Sequence, residues 1–379
     1  MKLDGLYADE WAELSSENKQ ERVVKLLAET QAPFDFEGIK VFSAHGVMSE
    51  TALLDWKGRK FVFVPGKKSV VLGWDGGIDG MDERTRQEID DGFEEVLDPL
   101  SWWRKQLADA KASNSEHVDE FERRVAELEA EAVAEPASEL QAFYSMEGLN
   151  AYINEHTSPV RTADLPPMIV ECELNEVGLV PVGYVDRGKR EHQIEDDFLE
   201  QVENYLYDFN TESVMTEYSG TCRFQRSEAD PMVYGVYAFD YTTREDLQTQ
   251  LQAEGFALPT EDQWEYLCGL GQCTLFPFGG RFDEEGRYSH LSETGENVLE
   301  QPNGLGVTIA YDPYKYEIVD SECLVKGGDG GNALCGGEPF IYMMLPLAAY
   351  WRDAMASELL EDEDLASGFY FYRRVFVVE

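Results

Sequence analysis

The sequence predicts an α+β fold, and three observations support this fold class. Short apolar runs alternate with turn residues between residues 39 and 64, which is typical of antiparallel strands. A highly charged block between residues 82 and 154 has the spacing of helices. The segment from Pro259 to Tyr266 has the signals of a helix start. A chain of 379 residues is long enough for one large domain or two ordinary ones.

The first 64 residues predict a helix followed by an antiparallel meander. Residues 17–30 place Val23 and Leu26 on one helical face, and Pro33 ends the pattern. Three β-rich runs then occupy residues 39–42, 51–54 and 60–64, with Gly46 and Gly58 in the turns between them.

The block from residue 82 to 154 predicts one or two helices, most simply an α-hairpin inserted into the β-rich part. Val118, Phe121, Val125 and Leu128 follow each other at spacings of three, four and three, which is typical of a coiled-coil seam. Two interpretations of this seam stay open. It packs within the chain, or it joins two copies into a homo-oligomer through the helical insertion.

The second half of the chain predicts strands and helices in alternation. Residues 231–236 favour a strand, and Thr243 then begins a helical segment. In the next helix, Pro259 and Thr260 form the start, and Trp264 lies on the apolar face. Residues 369–376 favour a buried closing strand.

Net charge is the unusual feature of the composition. The chain has 75 Asp and Glu against 31 Lys and Arg, which gives a net charge of −44. Such a chain repels nucleic-acid phosphate, so no nucleic-acid partner is expected. Three explanations remain open: a solvated surface suited to high salt or solubility, docking to a basic partner, and mimicry of nucleic acid. No run approaches the roughly 20 apolar residues of a membrane span, and no signal peptide is evident, so we expect no membrane partner and a cytoplasmic location.

Several motifs resemble the formylglycine-generating enzyme (sulfatase-modifying factor) family. The motifs are Leu258-Pro259-Thr260-Glu261, Trp264-Glu265-Tyr266, Phe276-Pro277-Phe278-Gly279, Val325-Lys326-Gly327-Gly328 and Gly368-Phe369. The resemblance implies a compact, irregular relative of the C-type lectin domain, in agreement with the 32 Gly, 20 Phe and 19 Tyr. It covers residues 60–379, with residues 82–154 as the helical insertion and residues 1–59 as an N-terminal helix and β extension.

The resemblance does not extend to the family's catalytic residues. Family oxidases bind copper with two cysteines that follow the Gly-Gly pair, but the corresponding segment here contains only Cys335. Because linear copper(I) coordination needs two soft ligands, copper is not an expected cofactor. The related iron-dependent branch needs clustered histidines, and the helical block contains only His117 and His156.

We therefore expect a non-oxidase binding or accessory protein that holds a peptide or small-molecule ligand in a lectin-like groove. The residues expected to contact the ligand are Asp329, Asn332, Cys335, Trp351 and Arg352. The alternative is an enzyme with a rebuilt site, either a formylglycine-generating-type oxidoreductase or another chemistry, in which Cys335 is the candidate catalytic thiol.

One acidic segment is a candidate calcium site. Asn303 lies where the resemblance places the approach to the family's structural calcium, and Asp312 and Glu317 supply further oxygen atoms. The alternative is a solvated acidic loop. The six cysteines, by contrast, have no zinc-type spacing and are expected to be mostly reduced and buried.

Overall fold

The computed structural model describes residues 5–131, 135–218, 220–227, 229–279, 301–309, 315–322, 324–328, 339–354, 365 and 368–378. Within these residues the chain forms eleven α-helices, one short 3-10 helix and sixteen strands, almost all paired antiparallel. The α+β fold class predicted from the sequence is confirmed.

The N-terminal part folds as predicted into a helix and a meander. Its elements are α1 (Ala8–Ala12), α2 (Ser16–Thr30), β1 (Asp35–Ala44), β2 (Val47–Trp56) and β3 (Arg59–Val64). Ser15 caps α2 by accepting a hydrogen bond from the Asn18 backbone N–H. The predicted turns at Gly46 and Gly58 both have positive φ, which suits glycine in tight hairpins.

These strands belong to a five-stranded sheet that also contains elements from much later in the chain. Its order is β1-β2-β3-β6-β16, with β6 at Met168–Glu171 and β16 at Val375–Val377. The domain boundary expected between residues 59 and 60 falls within the first residues of β3, next to the turn that connects this strand to β2. Strands β1 and β2 of the expected N-terminal extension therefore belong to the same sheet as β16.

Alternation along β3 places this sheet between two hydrophobic cores. Val62 and Val64 face one core, where Trp264 also lies, and Phe61 and Phe63 face the other. These four residues of β3 are all buried, as expected of a central strand covered on both faces.

The helical insertion is larger than the predicted hairpin. It leaves the sheet region after β4 (Lys67–Leu72) and returns at β5 (Arg161–Leu165), and these two strands pair with each other. Between them lie α3 (Glu83–Leu97), α4 (Pro99–Ser113), α5 (Val118–Ala130), α6 (Ser138–Phe143) and α7 (Met146–Glu155).

The predicted coiled-coil seam on α5 packs inside the chain. Val125 and Leu128 are buried, and Phe121 contacts the Trp103 ring of α4 edge-on at 5.3 Å. Of the residues that suggested an oligomer interface, Phe121 thus contacts a neighbouring helix of the same chain, and two others are buried. Oligomerisation through the insertion remains a prediction.

Residues 179–239 form a second five-stranded sheet, with the order β10-β11-β12-β8-β9. Its elements are β8 (Leu179–Asp186), β9 (Glu191–Ile194), α8 (Asp196–Val202), β10 (Met215–Tyr218), β11 (Cys222–Arg226) and β12 (Val233–Phe239). This sheet has a separate core that includes Phe209, Phe224 and Val236. The strand predicted at residues 231–236 is confirmed as β12.

The remaining elements form a four-stranded sheet and the helices beside it. They are β7 (Asn175–Glu176), α9 (Arg244–Glu254), α10 (Glu261–Gly269), β13 (Tyr316–Ile318), β14 (Val325–Lys326), α11 (Phe340–Met344), a 3-10 helix (Leu345–Leu347) and β15 (Tyr370–Tyr372). The predicted closing strand is divided into β15 and β16, because Arg373 and Arg374 interrupt it. No helix in the described residues is both long and apolar enough to cross a membrane.

Candidate functional site

The start of α10 has the local structure that its sequence predicts. The Thr260 side chain accepts a hydrogen bond from the Gln263 backbone N–H, and the Gln263 side chain accepts one from the Thr260 backbone N–H. This capping box satisfies two of the free donors at the helix start. Trp264 is fully buried behind it.

Two acidic residues of α10 take part in a buried ion network. Lys326 has no solvent-exposed side-chain surface, and its Nζ lies 2.9 Å from Glu265 and 3.0 Å from Glu261. It also donates to the Trp351 backbone carbonyl at 2.9 Å. Since an unpaired charge at this depth is very unfavourable, these contacts hold β14, α10 and the 351 segment together.

Two arginines close the network on the solvent side. Arg352 binds both oxygens of Glu261 at 2.8 and 2.6 Å, and 38% of its side chain is exposed. Arg161 lies 3.0 Å from Glu265 and donates to Asp262 at 2.7 Å. Arg352, predicted to bind a ligand, is thus oriented by an acid of the Leu-Pro-Thr-Glu motif.

The network controls the pKa of Glu261. Burial favours the neutral acid, but hydrogen bonds from Arg352 and Lys326 outweigh it and lower the pKa to about 2. Glu261 is therefore ionised at neutral pH and acts as a permanent anion of the framework.

Trp351, the second predicted ligand contact, forms part of an aromatic wall. Its ring stacks on His156 with centroids 5.3 Å apart and lies 5.7 Å from Tyr152. The Arg352 backbone N–H donates to the His156 carbonyl at 2.8 Å, which fixes the 351 segment against the end of α7. Only 7% of Trp351 is exposed, so its main contacts are internal.

The predicted calcium ligands that the structure describes are engaged elsewhere. Both Glu317 oxygens bind the fully buried Arg373, so a cation at Glu317 has to displace that arginine. The Asn303 side chain donates to the Leu267 carbonyl and accepts from the Leu305 backbone N–H, both within 2.9 Å. These contacts stabilise the turn in which Asn303 lies.

Several predicted site residues lie outside the described residues. They are Asp312, Asp329, Asn332 and Cys335. Of the five predicted ligand contacts, the structure therefore places Trp351 and Arg352, which are adjacent in sequence and lie next to the ion network.

Three of the four cysteines that the structure describes are buried. The segment 329–338 contains one cysteine, Cys335. Cys172, Cys222 and Cys268 are buried, and Cys273 is exposed. Burial raises the pKa of Cys172 to about 12 and that of Cys222 to about 11, so both are protonated at neutral pH and are poor metal ligands. Within the described ranges, no three or more His, Cys, Asp or Glu residues form a group that could hold a metal ion.

A cleft of about 580 Å³ lies elsewhere, where the three large sheets meet. The turn between β2 and β3 contributes Trp56 and Arg59, β11 contributes Arg223, and the end of the chain contributes Arg374. Sequence analysis missed this cleft because its residues are far apart along the chain. The only available signal was the pair Arg373-Arg374, two adjacent bases inside a strand that was predicted to be buried.

Comparison with known proteins gives no family assignment. The chain matches none of the models of known protein families and resembles none of the curated proteins with which it was compared.

Proposed function

We propose that this chain is a non-oxidase binding or accessory protein on a formylglycine-generating-enzyme-like scaffold related to the C-type lectin domain. Its ligand is a peptide or small molecule, held in the groove around residues 329–352. The sequence of the segment that follows the Gly327-Gly328 pair supports the proposal. An oxidase of that family needs two thiolates at one point, and the candidate loop offers Cys335 alone.

The ion network around α10 supports a framework role for the motif residues. Glu261 and Glu265 bind Lys326, Arg352 and Arg161 within the protein. A motif can therefore survive for reasons of folding even where the chemistry of its relatives is absent. Arg352 is partly exposed at the edge of the network. Because Glu261 fixes its orientation, its guanidinium group can donate hydrogen bonds to a ligand's carboxylate or to the backbone carbonyls of a peptide.

A peptide oxidation assay tests the proposal. The purified protein is incubated with copper, oxygen and a peptide of the Cys-x-Pro-x-Arg type, and aldehyde is detected by its mass shift or by capture with a hydrazine. We expect no aldehyde above the level given by copper alone. Aldehyde that disappears in the Cys335→Ser variant would establish an oxidase and refute the proposal.

A further inference from the structure

The cleft at the junction of the three sheets has the size of a small-molecule site. Its volume of about 580 Å³ lies within the range of roughly 300–1,000 Å³ that is typical of ligand pockets. Residues from seven strands or turns and from α9 line it, and none of them belongs to the groove around residues 329–352.

Three arginines line this cleft in a chain where acids outnumber bases by 44. Two of them are engaged by carboxylates. Arg374 binds Glu171 at 3.2 Å and Glu254 at 3.0 Å, and Arg223 binds Glu176 at 2.7 Å and Glu217 at 2.5 Å. These two arginines therefore line the cleft while bound to carboxylates of the protein.

Arg59 differs from the other two arginines. Its Nε donates to Glu171 at 2.7 Å, whereas its two terminal nitrogens have no hydrogen-bond partner among the described residues. The side chain is 43% exposed, while Glu171 is almost completely buried. Glu171 thus anchors one edge of the guanidinium and leaves the donors at its end for another acceptor.

The rest of the lining favours a flat ligand with polar substituents. Tyr237 and Phe371 offer half-buried rings. Gln225 and Gln250 are exposed, and their amides have no described hydrogen-bond partner. Aromatic rings stack on planar ligands, and side-chain amides that hydrogen-bond to a ligand's polar substituents determine the ligand's orientation.

Local charge limits the ligand's charge. The three arginines face four nearby glutamates, which are Glu171, Glu176, Glu217 and Glu254. A multiply charged phosphate would meet this surplus of negative charge, whereas a single carboxylate needs only the one guanidinium end that Arg59 supplies.

We propose that the cleft binds a small planar monocarboxylate, with Arg59 donating to the carboxylate and the ring lying against Tyr237 and Phe371. This site is additional to the groove of the proposed function and does not depend on it.

Benzoate is the probe, with benzamide and benzylamine as neutral and cationic molecules of similar shape. Binding is measured by isothermal titration and by saturation-transfer NMR at low salt. We expect benzoate to bind with a dissociation constant on the order of 0.1–1 mM, and the other two to bind at least about tenfold more weakly.

Three variants locate the binding. Arg59→Gln is expected to weaken benzoate binding by about tenfold or more, because a charge-assisted hydrogen bond is lost. Gln225→Glu adds a negative charge at an exposed position, so it is expected to weaken binding without affecting folding. Arg123→Gln changes an exposed arginine on α5 that does not line the cleft, and it is the matched control.

Melting curves of all variants show whether each one folds. Loss of binding in folded Arg59→Gln and Gln225→Glu, with normal binding in Arg123→Gln, supports the proposal. Absence of benzoate binding, preference for benzylamine, or binding unchanged in folded Gln225→Glu overturns it.

Discussion

At the residue scale, the most consequential finding is that the acids of the α10 motif are framework ions. Glu261 and Glu265 follow the predicted cap at Thr260, where acidic side chains favour the start of a helix. In the structure they also bind Lys326, which comes from a strand about 60 positions further along the chain. Helix signals could reveal the local role, but no pattern in a single sequence identifies a partner at that distance.

Removing the buried lysine is expected to destabilise the fold strongly. Lys326→Met leaves Glu265 buried with one of its two described cationic partners missing, and we expect unfolding free energy to fall by about 3 kcal/mol. Urea unfolding followed by circular dichroism measures the change. Arg123→Met, which breaks an exposed ion pair on α5, is the control and is expected to cost less than about 1 kcal/mol. Equal effects of the two substitutions would contradict the framework role.

The lowered pKa of Glu261 gives stability a specific pH dependence. Its pKa is about 2 in the folded protein and 4.5 as a reference, so the ion pairs contribute fully above pH 4.5. Their contribution is then lost as the pH falls through about 2. We expect the stability difference between the native protein and Glu261→Gln to be constant near neutral pH and to shrink between pH 4.5 and 2. Urea unfolding across this range measures it, and a difference independent of pH would be inconsistent with the ion network.

At the element scale, local sequence patterns predict individual helices and strands but do not predict how these elements pack together. The helix at Ser16–Thr30, the meander and the capped start of α10 follow from periodicity, turns and caps. Five helices lie between β4 and β5, where the sequence predicted one or two. Charged surface helices have similar compositions and few clear end signals, so their number is difficult to predict from the sequence. The second sheet was predicted only in part: its strand β12 was expected, but the pairing of β12 with β8 was not, because the two strands are distant in sequence.

Close packing against residue 315 requires glycine in the Gly327-Gly328 turn after β14. Gly327 has a φ of +79°, and a Cβ on Gly328 would lie 1.8 Å from the Lys315 carbonyl oxygen. No side chain fits that space unless the backbone moves.

The same substitution at two glycines is therefore expected to have opposite effects. Gly328→Ala should lower unfolding free energy by about 2 kcal/mol or more, because the backbone must shift. Gly92→Ala lies within α3, where the nearest atom is 3.7 Å away, and should raise it by about 0.5–1 kcal/mol through helix propensity. Chemical denaturation of both variants tests this, and a tolerated Gly328→Ala would show that β14 does not pack as described.

At the scale of the whole molecule, charge is the dominant property. Even if every Lys and Arg paired with one acid, 44 carboxylates would lack a basic partner. Several bases, including Lys326 and Arg373, are buried within ion pairs, so the surplus acid lies largely outside the core. The repulsion among these carboxylates opposes the compact state.

Added salt is therefore expected to stabilise the protein. Screening over a Debye length of about 10 Å at 0.1 M should raise the Tm with potassium chloride until it levels off. Melting curves from low to high salt measure the effect. A flat response would mean that bound cations or nearby bases already compensate the carboxylates.

We propose above all that this chain is a binding protein with a formylglycine-generating-enzyme-like framework and without the two-thiol copper site of that family. Metal analysis of the protein after anaerobic reconstitution with copper(I) and removal of excess metal tests it most directly. A single thiolate in the 329–338 segment cannot satisfy linear coordination, so we predict copper well below one equivalent. One tightly held equivalent that is lost in Cys335→Ser would contradict the claim.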